Sequence, residues 1–324
     1  MTARWSLSAA GLALAAVALP AQGAIAPEEL APGVTLVAGT FVPGHQPDGN
    51  SVILRGNKGL VVVDTGRHAE HSDAILAATA GMNRPLVAII NTHWHLDHVS
   101  GNPRLRAAAP GLTVYASSAI DGALKGFLAE SAKAAEAAIA AGEVPADLVP
   151  EVRADIATTA NGAALRPDKV VNRSQRLKLG GRTLDVHLAR TAATAGDLWL
   201  VDTRTRSLLS GDLVTLPAPF LDTACPGGWR AALADISNVR FARLIPGHGP
   251  VMSRPDFDRW RRAFDRFIDC AKSSADEADC AQGWTQDLGT MLPGGEQRRA
   301  TEMTRYYVQV LRANAGRNPN CNLV

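Results

Sequence analysis

The sequence has no strong excess of positive or negative charge and few long hydrophobic runs. Its 324 residues carry 33 Lys and Arg against 31 Asp and Glu, a formal net charge of +2, and both signs are mixed along the chain. Proteins that bind nucleic acid or anionic lipid usually show a basic patch or stripe, and none is evident here. After residue 23, no apolar stretch is long enough to span a bilayer. The sequence therefore favours a small-molecule substrate over a nucleic-acid or membrane partner.

The one apolar run near the start has the features of a secretory signal. Arg4 supplies the positive end, and residues 9–19 form an apolar core of about the usual length. There is no twin arginine, and residues 21–23 offer small side chains at a cleavage site. We therefore expect residues 1–23 to be a signal peptide and the mature protein to be periplasmic or secreted. A disordered or membrane-anchored N terminus is the alternative.

Cysteine is scarce, and none of the four lies in a metal-binding motif. An even number of cysteines in an oxidising compartment favours disulfides, for which three pairings exist. We expect Cys270–Cys280, because the loop between them is short and both lie in a helical region. The other pair would then be Cys225–Cys321. A cysteine acting as a metal ligand is the less favoured alternative.

Residues 91–102 contain the densest group of metal-binding side chains. Four of them follow the order His-x-His-x-Asp-His: His93, His95, Asp97 and His98. Imidazole nitrogen and carboxylate oxygen both suit zinc. The apolar residues 86–90 before them predict a buried strand, and a Gly-Asn-Pro turn after them precedes a predicted helix. The pattern thus predicts a metal site on a strand-to-helix loop, where functional groups are commonly presented.

This spacing resembles the signature of the metallo-β-lactamase superfamily. Three further motifs agree in order: Asp-Thr-Gly at 64–66, Ser-Gly-Asp at 210–212 and Pro-Gly-His-Gly at 246–249. The resemblance implies an α/β (α+β) fold, a four-layer αββα sandwich with the site at one edge of its two sheets. It implies six metal ligands: His93, His95, Asp97, His98, Asp212 and His248. Of these, Asp212 is the one expected to bridge two ions.

One position departs from the family pattern. The family carries Gly-His-Thr-x-Gly-Asp, whereas residues 192–197 read Ala-Ala-Thr-Ala-Gly-Asp, so that Ala193 replaces the third histidine of the first metal site. His187 lies six residues upstream on a predicted strand, and an extended chain advances about 3.3 Å per residue. We therefore interpret His187 as structural. We expect one Zn²⁺ bound tightly at the second site and another bound more weakly at the first.

The resemblance implies a metal-dependent hydrolase acting on an ester, lactone, lactam or related acyl bond. A bridging hydroxide would attack the carbonyl, and Asp97 would orient that water and accept its proton. A β-lactamase in the strict sense is one alternative. An iron-dependent redox member is disfavoured, because His95 and Ala193 break the patterns of those branches. A non-catalytic periplasmic metal-binding or accessory protein is favoured by Ala193 and disfavoured by the intact second site.

Three side chains outside the ligand set are candidates for substrate binding. His45 lies in the turn-rich loop 41–50, which overhangs the metals in resembling proteins, although a solvated loop histidine is an equal interpretation. Phe220 lies in the apolar segment 213–221 that follows Asp212, where we expect a pocket. For Trp94, both a pocket wall and core packing remain open.

Two more histidines, His68 and His71, fall in the first turn of a helix predicted over residues 68–80. Both are expected to face solvent.

We expect residues 24–324 to form a single domain with two helical additions. An alanine-rich insertion at about 117–166 has good helix propensity and, placed beside the site, can act as a lid. Residues 254–324 predict a C-terminal helical extension. The oligomeric state does not follow from the sequence.

Overall fold

The computed structural model describes residues 26–42, 44–292 and 295–313. The predicted signal peptide and Cys321 lie outside these ranges. The first sheet has seven strands in the order in which they occur along the chain. These strands are β1 Glu28–Ala31, β2 Val34–Val37, β3 Ser51–Arg55, β4 Leu60–Val63, β5 Leu86–Ile90, β6 Thr113–Ala116 and β7 Lys169–Val170. β1 to β4 pair antiparallel, and β4 to β7 pair parallel.

The second sheet has five strands. They are β8 Gln175–Leu179, β9 Arg182–Thr191, β10 Ala195–Asp202, β11 Ser207–Thr215 and β12 Arg243–His248. Their order across the sheet is β12-β11-β10-β9-β8, and only the β11–β12 pair is parallel. Asp212 and His248 lie on these two adjacent parallel strands, so the sheet itself brings them to one edge.

Ten α-helices occur in the described ranges, together with 3₁₀ turns at Gly162–Leu165 and Gly289–Met291. The first six are α1 Ala69–Ala80, α2 Leu96–Val99, α3 Asn102–Ala108, α4 Ile120–Ala123, α5 Phe127–Ala140 and α6 Val149–Ala160. The last four are α7 Pro226–Ser237, α8 Arg254–Lys272, α9 Glu277–Leu288 and α10 Gln297–Ala313. In the described part of the chain, no helix combines the length and apolarity that crossing a membrane requires.

The layer order follows from alternation along the buried strands, because successive side chains point to opposite faces of a sheet. Val62 of β4 packs outward with Ile75 of α1 and Leu105 of α3. Its neighbour Val61 packs inward, between the sheets, with Leu200 of β10. Helices α7 to α10 share a third apolar cluster with the outer face of the second sheet. The αββα sandwich predicted from the sequence is therefore confirmed.

The segment that leaves Asp212 is held by three tryptophans from three different helices. Each indole N–H donates a 2.9 Å hydrogen bond to an alternate carbonyl: Trp229 to Leu213, Trp260 to Thr215 and Trp284 to Pro217. All three rings are buried. Since the carbonyls of an extended segment alternate in direction, one side of this segment is bound along its length by α7, α8 and α9.

A disulfide joins Cys270 at the end of α8 to Cys280 in α9, as predicted. Such a crosslink typically contributes about 2–4 kcal/mol to stability. No free cysteine occurs in the ranges that the structure describes. The pairing of Cys225 with Cys321 stays a prediction, because Cys321 lies outside those ranges.

Candidate metal centre

The His-x-His-x-Asp-His motif follows β5 and leads into the short helix α2. Beside it, at the end of β4, Asp64 adopts a left-handed φ of 60°, which is unusual for a residue other than glycine. Its carboxylate accepts hydrogen bonds of 2.7 Å from the backbone N–H and the hydroxyl of Thr92, and lies 2.9 Å from Nδ1 of His98. Asp64 therefore fixes the imidazole of His98 so that Nε2 faces away from it, toward the other ligands.

Four of the predicted ligands converge in what we call the second donor group: Asp97, His98, Asp212 and His248. Nε2 of His98 lies 3.3 Å from Nε2 of His248 and 3.2 Å from Oδ1 of Asp212. Oδ2 of Asp97 lies 3.0 Å from Nε2 of His248 and 3.7 Å from Nε2 of His98. Tetrahedral zinc with bonds of about 2.0–2.1 Å has donor atoms about 3.3 Å apart. The ligand atoms of Asp97, His98 and His248 therefore form one compact cluster that can hold a zinc ion, and Asp212 approaches it through His98 and His248.

The charges in the second donor group also fit a cation. Burial opposes protonation of His98, but the carboxylates of Asp212, Asp97 and Asp64 raise its pKa well above the usual value. Burial likewise favours the protonated carboxyl of Asp97, yet His98 and His248 hold its pKa well below the usual range. Oδ1 of Asp212 is buried and has no hydrogen-bond donor in the described residues. Three carboxylates around one imidazole leave a negative charge that a divalent ion can balance.

Two glycines provide the space for this group. A Cβ on Gly49 would overlap the ring of His98, and a Cβ on Gly247 would overlap Oδ1 of Asp212. The first glycine also donates its N–H to the carbonyl of Asp97, at 3.0 Å. Backbone thus approaches the ligands so closely at both positions that only glycine fits.

The first donor group consists of His93 and His95, with Ala193 buried where the family carries a third histidine. Nε2 of His93 lies 3.0 Å from Nδ1 of His95 and 3.7 Å from Oδ2 of Asp212. Burial lowers the pKa of His93 well below its usual value and that of His95 to about 4. Both rings are therefore neutral near pH 7, the form in which imidazole binds metal. The group has fewer donors and less negative charge than the second.

Thr223, a residue that the sequence did not single out, sits beside Ala193. Its hydroxyl donates a 3.0 Å hydrogen bond to the carbonyl of Ala193 and lies 3.0 Å from Nε2 of His95. The hydroxyl can therefore accept a hydrogen bond from Nε2–H of His95. In that tautomer Nδ1 of His95 carries no proton and is the nitrogen that can bind a metal. The compact clusters of ligand atoms are His93–His98–Asp212 and Asp97–His98–His248, and His95 belongs to neither.

His187 does not take the place of the missing histidine. Its ring stacks on Trp199 at a centroid distance of 3.8 Å, on the neighbouring strand of the second sheet. It is absent from both clusters of candidate ligands in the described chain.

A cavity of about 600 Å³ opens onto the donor groups. His95, Asp97, Asp212 and His248 line part of it. Its walls come from the loop before β3, from helices α5 and α6 of the predicted insertion, from the segment after β11, and from α10. The insertion therefore lies beside the site, where the lid hypothesis places it.

The three predicted substrate-binding residues occupy different positions. Phe220 lines the cavity and meets the ring of His95 edge-on, at 5.0 Å. His45 also lines the cavity, but its Nδ1 lies 2.7 Å from the carboxylate of Glu151 on α6. Trp94 packs in a buried cluster with Leu128 of the insertion and supports His95 from the side, at 4.7 Å. Core packing is thus the observed role of Trp94.

Arg67, directly after the Asp-Thr-Gly turn, was also missed from the sequence. One guanidinium nitrogen lies 2.5 Å from Asp155 of α6, and another lies 3.7 Å from Oδ1 of Asp97. Its Nε donates to the carbonyl of Pro47. Arg67 therefore connects the insertion and the loop before β3 to a predicted metal ligand.

The prediction that His71 faces solvent is wrong. The side chain is fully buried under the Asp-Thr-Gly turn, and Nε2 lies 2.9 Å from the hydroxyl of Ser51. His68 is half-buried, and its Nδ1 lies 2.8 Å from the carboxylate of Asp48. The helix starts one residue later than predicted, at Ala69, and its first turn rotates His71 inward against β3.

Comparison with known proteins defines the class. The family description "Metallo-beta-lactamase superfamily" matches residues 46–268, which is more than half of the chain. The chain therefore belongs to the metallo-β-lactamase superfamily. It is 46% identical over 56 residues to a hydroxyacylglutathione hydrolase of Gloeobacter violaceus, and 42% identical over 59 residues to one of a Synechococcus species. These matches span 22% and 23% of those relatives, and 17% and 18% of this chain.

Solved structures agree on the fold. A metallo-β-lactamase from Pontibacter korlensis superposes with a TM-score of 0.55 at 17% identity, covering 74% of this chain and 98% of that one. An inverting sec-alkylsulfatase from a Pseudomonas species superposes with a TM-score of 0.60 at 19% identity, covering 92% of this chain and 52% of that one. Together with the family match, these structures show that the chain has the metallo-β-lactamase fold.

Proposed function

We propose that the protein is an exported, zinc-dependent hydrolase that cleaves an ester, lactone, lactam or related acyl bond of a small molecule. The observation that carries this proposal is the second donor group. The ligand atoms of Asp97, His98 and His248 form a compact cluster, Asp212 lies 3.2 Å from His98, and Asp64 holds His98 from behind. A bound zinc ion would polarise a carbonyl and lower the pKa of water.

The chain's own residues prepare the site for that chemistry. Asp97, His98, Asp212 and His248 would hold the metal. Asp97 is ionised and faces Arg67, so that it can orient a water molecule beside the substrate by accepting a hydrogen bond. The neutral rings of His93 and His95 lie next to this position and can hold a second ion more weakly.

The largely apolar walls of the cavity favour an acyl compound over a strongly hydrated substrate. The partial sequence matches to hydroxyacylglutathione hydrolases support hydrolysis but cover too little of those proteins to transfer their substrate. A β-lactamase in the strict sense is the alternative that the structural likeness suggests, and fold alone does not decide it.

Export is part of the proposal. The signal-like residues 1–23 and the Cys270–Cys280 disulfide both favour an oxidising compartment. N-terminal sequencing of protein recovered from the periplasm should begin at or near Ala24. Recovery of a full-length chain that still starts at Met1 would contradict export.

The test of the activity is metal analysis coupled to a substrate panel. We expect zinc in the purified protein, loss of hydrolysis after chelation and recovery after zinc is returned. Chromogenic esters, lactones and cephalosporins distinguish the acyl-bond classes, and cleavage of the cephalosporin alone would favour the strict β-lactamase. A metal-loaded protein that cleaves no member of the panel would favour the accessory-protein alternative.

A further inference from the structure

Helix α10 contributes one wall of the cavity through a single stripe of side chains. Arg299, Met303 and Tyr307 all line the cavity and are spaced four residues apart, which places them on one face of the helix. This helix lies beyond residue 268, where the family match ends. The stripe therefore lies outside the part of the chain that the superfamily match accounts for.

The two ends of this stripe lie at different depths of the cavity. The ring of Tyr307 meets Phe220 at 6.0 Å, and Phe220 in turn meets the metal-site residue His95 at 5.0 Å. Tyr307 is thus at the metal end. Arg299 is eight residues earlier, which corresponds to about 12 Å along a helix axis. The backbone of Arg299 is therefore separated from that of Tyr307 by about this distance, and the two side chains contact different parts of the cavity.

Arg299 is poorly partnered for a side chain that is only 24% exposed. Its guanidinium lies over the ring of Phe41, and its one ion-pair partner in the described residues is Glu296, at 3.7 Å. Burial lowers its pKa below the usual value, so its charge is not well compensated. By contrast Arg67, the other arginine of the cavity wall, already binds Asp155 and the carbonyl of Pro47. Arg299 is therefore the cation with free N–H donors.

We propose that Arg299 binds a carboxylate at the far end of the substrate. The substrate class is then an acyl compound whose scissile bond is separated from a carboxylate by an apolar segment of the order of 10 Å. The guanidinium lies over the ring of Phe41, and a guanidinium can offer a carboxylate two parallel N–H groups. This proposal rests on the hydrolytic function proposed above.

A length series tests the proposal by turnover. The substrates are p-nitrophenyl monoesters of succinic, adipic and sebacic acid, each compared with its methyl-capped, neutral counterpart. We expect the ratio of kcat/KM between charged and neutral partners to rise with chain length. Arg299→Met should reduce that ratio for the preferred length by roughly 10- to 100-fold, mainly through KM. Arg299→Lys keeps the positive charge but lacks the two parallel N–H groups of the guanidinium. It should retain part of the preference.

The neighbouring arginine gives a matched control. Arg298 lies on the same helix but is 91% exposed and faces Glu302, at 3.9 Å. Arg298→Met removes the same charge from the protein and should leave the preference unchanged. If both variants reduce the preference equally, a general charge effect replaces the specific site and the proposal is wrong.

Binding measured without turnover separates this proposal from the hydrolytic one. Calorimetry with the monoamide of sebacic acid, and with its neutral diamide as reference, should show tighter binding of the monoamide to wild type than to Arg299→Met. Equal binding of both ligands to wild type would overturn the proposal, even if neutral esters are hydrolysed. Selective binding through Arg299 without hydrolysis of any ester would support the carboxylate site and contradict the proposed activity.

Discussion

The two donor groups share one loop and one carboxylate, yet they differ in almost every physical respect. The second group has two imidazoles and two carboxylates, each carboxylate within 3.7 Å of His98, with Asp64 behind that imidazole. The first has two neutral imidazoles, and an alanine and a threonine hydroxyl stand where a third ligand would be. With one ligand fewer, the first group should bind a cation weakly. The second group has the ligands and the negative charge to bind one by itself. This difference explains why we expect one tightly held ion.

The largest expected effect comes from breaking the second group. His248→Ala removes one of its four ligands and leaves Asp97 without its nearest imidazole partner. We expect the tight ion to be lost on dialysis and activity to fall by about a thousandfold, which corresponds to several kcal/mol. Metal content after dialysis and kcat/KM are the measurements.

His187→Ala is the control for that change, because it removes a histidine that stacks on Trp199 away from the site. It should keep its metal. Retention of a full equivalent of metal by His248→Ala would show that the second group is not the tight site.

His71, which is buried under the Asp-Thr-Gly turn, should limit the stability of the protein in acid. Burial lowers the pKa of His71 to about 4, against a usual value of 6.5. The unfolded chain therefore binds a proton at higher pH than the folded chain does. Stability from this group is complete above about pH 6.5 and is lost as the pH falls toward 4, by up to about 3 kcal/mol. Urea unfolding between pH 7.5 and 4 measures it.

His71→Gln can keep a hydrogen bond to Ser51 but does not titrate, so it is the reference for that measurement. Its stability should fall less steeply over the same pH range. Parallel curves for the two proteins would assign the acid sensitivity to other groups.

A smaller effect is expected when the second group keeps all its ligands but a methyl group is added next to one of them. The Cβ of Gly49→Ala would overlap the ring of His98 and displace it from Asp64. We expect zinc affinity to fall by roughly 10- to 100-fold, the range found when the support of a ligand is disturbed. Competition with a chromogenic chelator provides the measurement. Gly44→Ala, in the same loop but with open space around its Cβ and a positive φ, controls for loop strain.

The smallest change should come from repairing the first group. Ala193→His returns the missing ligand, and we expect the weakly bound second ion to be held about tenfold more tightly. Metal equivalents retained during stepwise dialysis measure the gain. Ala193→Phe adds a ring of similar size without a donor nitrogen and should show no gain. Two equally tight ions in the unaltered protein would mean that another ligand already completes this group.

The layered fold was predictable because four separate motifs resemble those of the metallo-β-lactamase superfamily in sequence order. The strand at 86–90 has the predicted limits. The alanine-rich insertion is helical as predicted, and the chain turns at Gly126, so that α4 and α5 are separate helices. Burial of His71 was not predictable, since it depends on the angle at which α1 meets β3.

The candidate site was predictable where chemistry follows a local pattern. His93, His95, Asp97 and His98 lie close together in sequence, so their convergence follows from one loop. Thr223, Arg67 and Arg299 reach the site from distant segments as single residues. Nothing in a one-dimensional pattern separates such a residue from an ordinary surface or core side chain.

The three indoles that bind the segment after Asp212 also give the protein an optical property. Trp229, Trp260 and Trp284 are buried, and the last two donate hydrogen bonds to Thr215 and Pro217, which line the cavity. Indole emission depends on the polarity and hydrogen bonding around the ring. Intrinsic fluorescence should therefore respond when the cavity fills, so that occupancy can be followed without a label.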